Sequence, residues 1–309
     1  MTNSWTQIFK AHHYFLTTGI TYSHVHKTAW DYRQSLTNVS MAITCVDVVA
    51  QMTNKYIVDE GSFDIAKLKG LKFLFLEEQD LDTLAPIEPL KDVEIINCWR
   101  NEIDSLVPIK EFFNLKELHF SGNKVSNLQP LFGLTQLTTV DLTDNQITTI
   151  PDFSKLTNLK CLDLNYNQIK DISPLSQCKS LETLSLYGVP VSSTKIVDLK
   201  RQLPKCRIQT IYKPDGFEED LFGYLTIKGD KVFFIHFHEN YGVQTYHIVV
   251  SLFDTDNNSS NGSLTPTLKE IAENSLFNHL YSRGSAAEIK RQHYFEETDK
   301  LIRVQFDLI

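Results

Sequence analysis

The sequence predicts an α/β chain: a solenoid of stacked repeats with a parallel β-sheet on its concave side, an N-terminal cap, and a small C-terminal α+β domain. Three observations predict it. Apolar residues recur every twenty-two positions through the middle of the chain. The stretch before them has helical spacing, and the stretch after them alternates like strands broken by turn residues. A chain of 309 residues, 42% hydrophobic and 22% charged, has the length for two or three such units and the composition of a globular protein.

Residues 1–60 open with aromatics and histidines (His12, His13, His24 and His26) and continue into a moderately apolar stretch from Val39 to Ile57. Met41, Cys45, Val48, Val49 and Met52 fit one helical face. A solenoid exposes apolar edges at its ends, so this segment is read as a cap or small subdomain. Gly61 to Leu68 looks like the returning half of an incomplete first repeat.

The repeat itself shows as columns in phase. Leu71, Val93, Leu115, Leu137, Leu159 and Leu181 are equally spaced, followed three residues on by Leu74, Ile96, Leu118, Val140, Leu162 and Leu184. Leu76, Cys98, Phe120, Leu142, Leu164 and Leu186 come next, then the amides Gln79, Asn101, Asn123, Asn145 and Asn167, with Val189 breaking that series. Pro86, Pro108, Pro130 and Pro174 also fall in register, Asp152 being the exception. Pairs such as Leu118 and Phe120 face one side of a short strand. The amide bonds backbone groups where the chain turns away, and proline suits a return path that needs no ladder donor. This pattern resembles the leucine-rich repeat, in the short class of the bacterial internalins and of a eukaryotic phosphatase-1 regulator. The resemblance covers Leu71 to about Val191 and implies a curved solenoid. Cys98 stands in an inward column and is read as a core residue.

After Val191, the residues Ile196, Leu199, Lys200 and Leu203 have the spacing of a capping helix, and a strand is expected near Arg207–Tyr212. Lys213-Pro-Asp-Gly216 is a turn signal and marks the boundary between a 61–212 solenoid and a 213–309 α+β domain. Strands are expected at Leu221–Lys228, Lys231–His238, Val243–Phe253, His293–Glu296 and Leu301–Leu308. A polar loop, Asp256–Ser263, and a helix, Thr267–Tyr281, lie between them.

Composition and motifs exclude several functions. The net charge of −8 argues against nucleic-acid binding, which needs a basic face. No apolar run reaches the roughly twenty residues of a spanning helix, Asp47 interrupting the longest. The N-terminus lacks an export signal, and five scattered cysteines suit a reducing compartment, so a cytoplasmic protein is expected. Phosphate loops, nucleophile elbows, zinc-helix motifs and paired cysteines are absent, so neither catalysis nor a cofactor is expected. One constellation stands out, His236-Phe-His238 with His247 on the next strand. It reads either as a metal site or, in preference, as the wet face of an ordinary strand.

The charge is concentrated. Leu71 to Ser192 holds seventeen Asp and Glu against ten Lys and Arg, nearly the whole net charge. Strand alternation sends Phe73, Phe75, Glu77, Trp99, Arg100, Glu117, His119, Asp141, Asp163, Tyr166 and Tyr187 to the concave side. Aromatics beside an arginine have the composition of a protein-binding hot spot, and the acids favour a basic partner. Alternatively, Phe73, Phe75 and Trp99 pack beneath the N-terminal segment. The expected function is a non-catalytic module that clasps a basic protein by occlusion. By analogy it is a bacterial immunity protein against a toxin domain. A secreted effector, a phosphatase-type regulator, and an enzyme built on the C-terminal domain are the other readings.

Overall fold

The computed structural model describes residues 4–35, 43–55, 61–212, 221–228, 231–239, 245–253, 289–298 and 301–308. The chain divides into two compact units, Met1–Leu181 and Glu182–Ile309.

The first unit begins with three helices: α1 (Trp5–Thr18), α2 (Tyr22–Ser35) and α3 (Cys45–Thr53). Ser4 starts α1 through a capping box with Gln7, and Gly19 ends it in the left-handed region at φ 70°. Its buried residues Ile8, Phe9, Ala11, His12 and Phe15 form one face. Thr44 and Asp47 make a second capping box for α3, which buries Cys45, Val48 and Val49, as the helical spacing predicts. Met41 lies outside the described residues. The four-residue 3₁₀ turn Ile65–Leu68, with Leu68 fully buried, supplies the partial first repeat.

Five three-residue strands follow: β1 (Phe73–Phe75), β2 (Ile95–Asn97), β3 (Glu117–His119), β4 (Thr139–Asp141) and β5 (Cys161–Asp163). They pair in parallel, each residue opposite the one twenty-two positions on. The columns Leu71 to Leu181 and Leu74 to Leu162 form the core, all nearly inaccessible. Prolines 86, 108, 130 and 174 each sit at the start of a 3₁₀ turn, where the missing donor costs nothing. The copy that carries Asp152 instead has no such turn.

The amide column joins each copy to the one before. Asn145 accepts the Val125 N–H at 2.9 Å and donates to the Phe120 and Leu142 carbonyls at 2.9 and 3.1 Å. Asn123 and Asn167 repeat the arrangement one copy earlier and one later. Replacing Asn145 by alanine strands three buried backbone groups and is expected to cost on the order of 3 kcal/mol. Urea unfolding followed by tryptophan fluorescence measures it. Asn158→Ala, removing an exposed amide bonded to the Thr135 carbonyl, should stay within about 0.5 kcal/mol.

A second in-phase column shows only in the backbone. Glu78, Arg100, Gly122, Asp144, Tyr166 and Gly188 all have positive φ, between 51° and 68°. Glycine occupies this conformation freely, whereas a side chain there costs about 1 kcal/mol.

The second unit starts with the sixth copy, β6 (Thr183–Ser185), paired in parallel with β7 (Arg207–Tyr212). Between them α4 (Ser193–Gln202) buries Ile196, Leu199 and Lys200, the face expected from sequence. Lys200 is 3% exposed and donates to the Pro204 and Cys206 carbonyls at 3.0 and 2.6 Å. Burial lowers its pKa, and the two carbonyls replace water around the ammonium group. From β7 onward the sheet is antiparallel: β8 (Leu221–Lys228), β9 (Lys231–Glu239), β10 (Thr245–Phe253), then β12 (Leu301–Leu308) with β11 (Ile289–Thr298) outermost. All five strands expected here form. The expected loop at 256–263 and helix at 267–281 lie outside the described residues.

Candidate functional site

At its N-terminal end the concave side is covered. Phe73 is 8% exposed and Phe75 1% exposed, against the expectation that they lie open to a partner. The Phe15, Tyr22 and His12 rings pack on Phe73 at 6.1, 5.7 and 6.3 Å. His12 fixes this cap with two bonds. Its Nδ1–H donates to the Ile8 carbonyl at 2.8 Å, and its Nε2 accepts the Phe75 N–H at 2.8 Å. Burial lowers its pKa to about 4, so the ring is neutral and its Nε2 lone pair is available to the strand. His12, one of the histidines of the expected N-terminal cap, is thus a buried pin.

Glu77 is corrected likewise. It is 5% exposed and receives a hydrogen bond from the Asn97 amide. Burial is the dominant influence and pushes its pKa up to about 8, so at neutral pH the carboxyl is mostly uncharged. Its neighbour Glu78 is ionically paired with Arg33 of α2 at 3.4 Å and with Arg100 at 2.9 Å. The acidic character expected at Glu77 is therefore removed by burial, and the charge of Glu78 beside it is balanced by two guanidinium groups.

Trp99 is half-buried beside these arginines, with Arg33 5.7 Å and Arg100 4.9 Å from its ring centre. Between α2 and the sheet it lines a cleft with Trp30, Arg33, Phe75 and Glu77. Trp30 is 59% exposed and had no place in the sequence-derived site, because nothing periodic ties α2 to the repeats.

Beyond Trp99 the concave strands are open. Glu117, His119, Asp141 and Asp163 are half-exposed, and the register sets His119, Asp141 and Asp163 side by side on successive strands. His119 lies 3.3 Å from Glu117. Asp141 accepts the Thr143 N–H at 2.9 Å; Asp163 accepts the Thr143 hydroxyl at 2.8 Å and the Asn165 N–H at 3.0 Å. These bonds hold the carboxylates in fixed positions on the surface. The exposed side chains of the left-handed column, Arg100, Asp144 and Tyr166, border the strip, Tyr166 being 55% exposed. Tyr187 belongs to the second unit and is half-exposed there.

Cys98 is fully buried and its thiol pKa is driven up by burial, in keeping with a core residue. The ladder pairs His238 with His247 and leaves His236 two residues along, but the side chains of all three lie outside the described part of the structure. Among the described residues, no group of three or more His, Cys, Asp or Glu is placed to hold a metal ion, and no helix is long and apolar enough to cross a membrane.

Residues 113–155 and 157–201 match the family model described as Leucine Rich repeats (2 copies). The array is a leucine-rich repeat solenoid. Among solved structures, the chain is similar to an internalin, InlF, from Listeria monocytogenes, at 29% identity over 47% of this chain and 42% of that one, with a TM-score of 0.45. It is also similar to a leucine-rich repeat protein of Leptospira interrogans, at 30% identity over 47% of this chain and 38% of that one, TM-score 0.44. Internalin C2 of L. monocytogenes is 27% identical over 46% of this chain and 72% of that one, TM-score 0.38. The chain spans less than half the length of the first two. No curated protein matches it. Leucine-rich repeat solenoids offer extended concave surfaces for binding. In this one the open part of that surface within the first unit runs from Trp99 to Tyr166.

Proposed function

We propose that the protein is a non-catalytic binding module that holds a basic protein partner against the open concave strip of its first unit. The observation that carries this reading is the placement of Asp141 and Asp163 side by side on successive strands next to His119, with Glu117 two residues away on β3. These carboxylates are half-exposed, and Asp141 and Asp163 are fixed by their own turns. Preset acids on a concave surface raise the encounter rate of a basic protein and cost little ordering when it docks. Trp99, half-buried beside Arg100, provides an apolar anchor at the end of the strip. Phe73, Phe75 and Glu77 take no part, since the N-terminal helices occupy them. Occlusion of a basic surface is the action of a cognate inhibitor, and a toxin domain neutralised by an immunity protein is the partner class this strip fits.

Reversing charge at Asp141→Lys and Asp163→Lys together should slow association with the captured native partner by about tenfold or more at low salt. The wild-type rate should fall as salt is added, while the variant's should not. Surface plasmon resonance with the full chain reads both. A variant that associates as fast as wild type would remove the concave strip from the interface.

A further inference from the structure

The left-handed column separates structural residues from one that has no structural explanation. Gly122 shows that glycine fits this position in the solenoid without strain. Glu78 and Arg100 have a reason to be there, since Glu78 pairs with both Arg33 of α2 and Arg100 of the second copy. Asp144 is tolerated, because aspartate adopts this conformation more readily than most residues. Tyr166 has neither excuse. Its φ is 54°, and its ring contributes little to the core because more than half of the residue is exposed.

What surrounds Tyr166 is acidic. Asp144 stands one copy earlier in the same column, and Asp163 ends β5 three residues before the tyrosine. Neighbouring copies are about 4.8 Å apart along a parallel sheet, so the Tyr166 ring and the Asp144 carboxylate can engage a single group together. An electron-rich ring face beside a carboxylate is complementary to a cation carried on an apolar stem.

We propose that Tyr166 and Asp144 form the seat for one arginine or lysine side chain of the protein partner, its cationic head over the ring and against the carboxylate. The proposal rests on the concave-face reading and assigns the residue chemistry recognised there. Tyrosine stays in a strained conformation because its ring makes this contact, and glycine in its place would relax the backbone and lose the seat.

Titration calorimetry of the full chain with a hexa-arginine peptide at low ionic strength tests this. Tyr166→Gly and Asp144→Asn should each weaken peptide binding by about fivefold. Asp152→Asn, which removes one exposed acid from the returning side of the solenoid, should change it by less than about twofold. Tyr166→Gly should also raise the urea midpoint of the first unit. Absence of peptide binding to wild type, or equal weakening by all three substitutions, overturns the seat. So does a lower urea midpoint for Tyr166→Gly, which would make the ring a packing element. With the captured partner, loss of binding by Asp141→Lys/Asp163→Lys but not by Tyr166→Gly overturns the seat alone. Unchanged binding by both overturns the concave-face reading as well.

Discussion

Replacing Glu77 by glutamine is expected to stabilise the first unit by on the order of 4 kcal/mol at about pH 8.5 and by almost nothing at about pH 4. In the folded protein the carboxyl keeps its proton until about pH 8, because burial disfavours the charged form. In the unfolded chain it ionises from about pH 4.5 upward. Between those values the unfolded state is the one that sheds the proton, so Glu77 costs progressively more stability as pH rises, and the cost is complete above about pH 8. Glutamine has similar shape and can still accept from the Asn97 amide, but it does not titrate. Tryptophan fluorescence reads the first unit selectively, since Trp5, Trp30 and Trp99 all lie within it. Urea midpoints that differ from wild type by the same amount at every pH would show that Glu77 is ionised in the native protein. The consequence for binding is that this end of the concave side carries little negative charge, and the acidic strip begins at Glu117.

The solenoid was legible because each column constrains both residue type and spacing. Leu118 and Asn123 are specified by their own copy and again by Val140 and Asn145 in the next. The cap had no such redundancy. α2 is polar along most of its length and is held by particular contacts: Tyr22 on Phe73, its hydroxyl accepting from Asn97, and Arg33 paired with Glu78. Those partners are tens of residues away and follow no period, so alternation could place Phe73 and Phe75 on the concave side but could not say what lay over them. The open acids of β3 to β5 were legible for the opposite reason, since nothing distant covers them. The left-handed column left a trace in Gly122 and Gly188, three copies apart in phase. Its other members share no chemistry, and a backbone angle is invisible when its occupants range from glutamate to tyrosine.

Loss of His12 should have an effect of comparable size and opposite pH dependence. His12→Ala leaves the Phe75 N–H buried without an acceptor and opens a void between α1 and the sheet, expected to cost on the order of 3 kcal/mol or more. His12→Gln supplies an oxygen in place of Nε2 and should be milder near neutral pH. Its value is in the titration. The folded ring takes a proton only near pH 4, while the unfolded ring takes one near 6.5. The stability His12 provides is therefore fully present above about pH 6.5 and is lost as pH falls towards 4, by about 3 kcal/mol. Across most of that window Glu77 acts in the reverse sense, gaining stability as pH falls to about 4.5. Two buried groups within one cap thus offset each other, and the wild-type profile between about pH 4.5 and 6.5 should be nearly flat in their contribution. Each substitution uncovers the other group: His12→Gln should become more stable on acidification through this range, and Glu77→Gln less stable. Parallel profiles for the two variants would show that neither group is held in the state that the packing of α1 and α2 on the first strands imposes. Divergent profiles would place both titrations at the junction that closes the end of the solenoid.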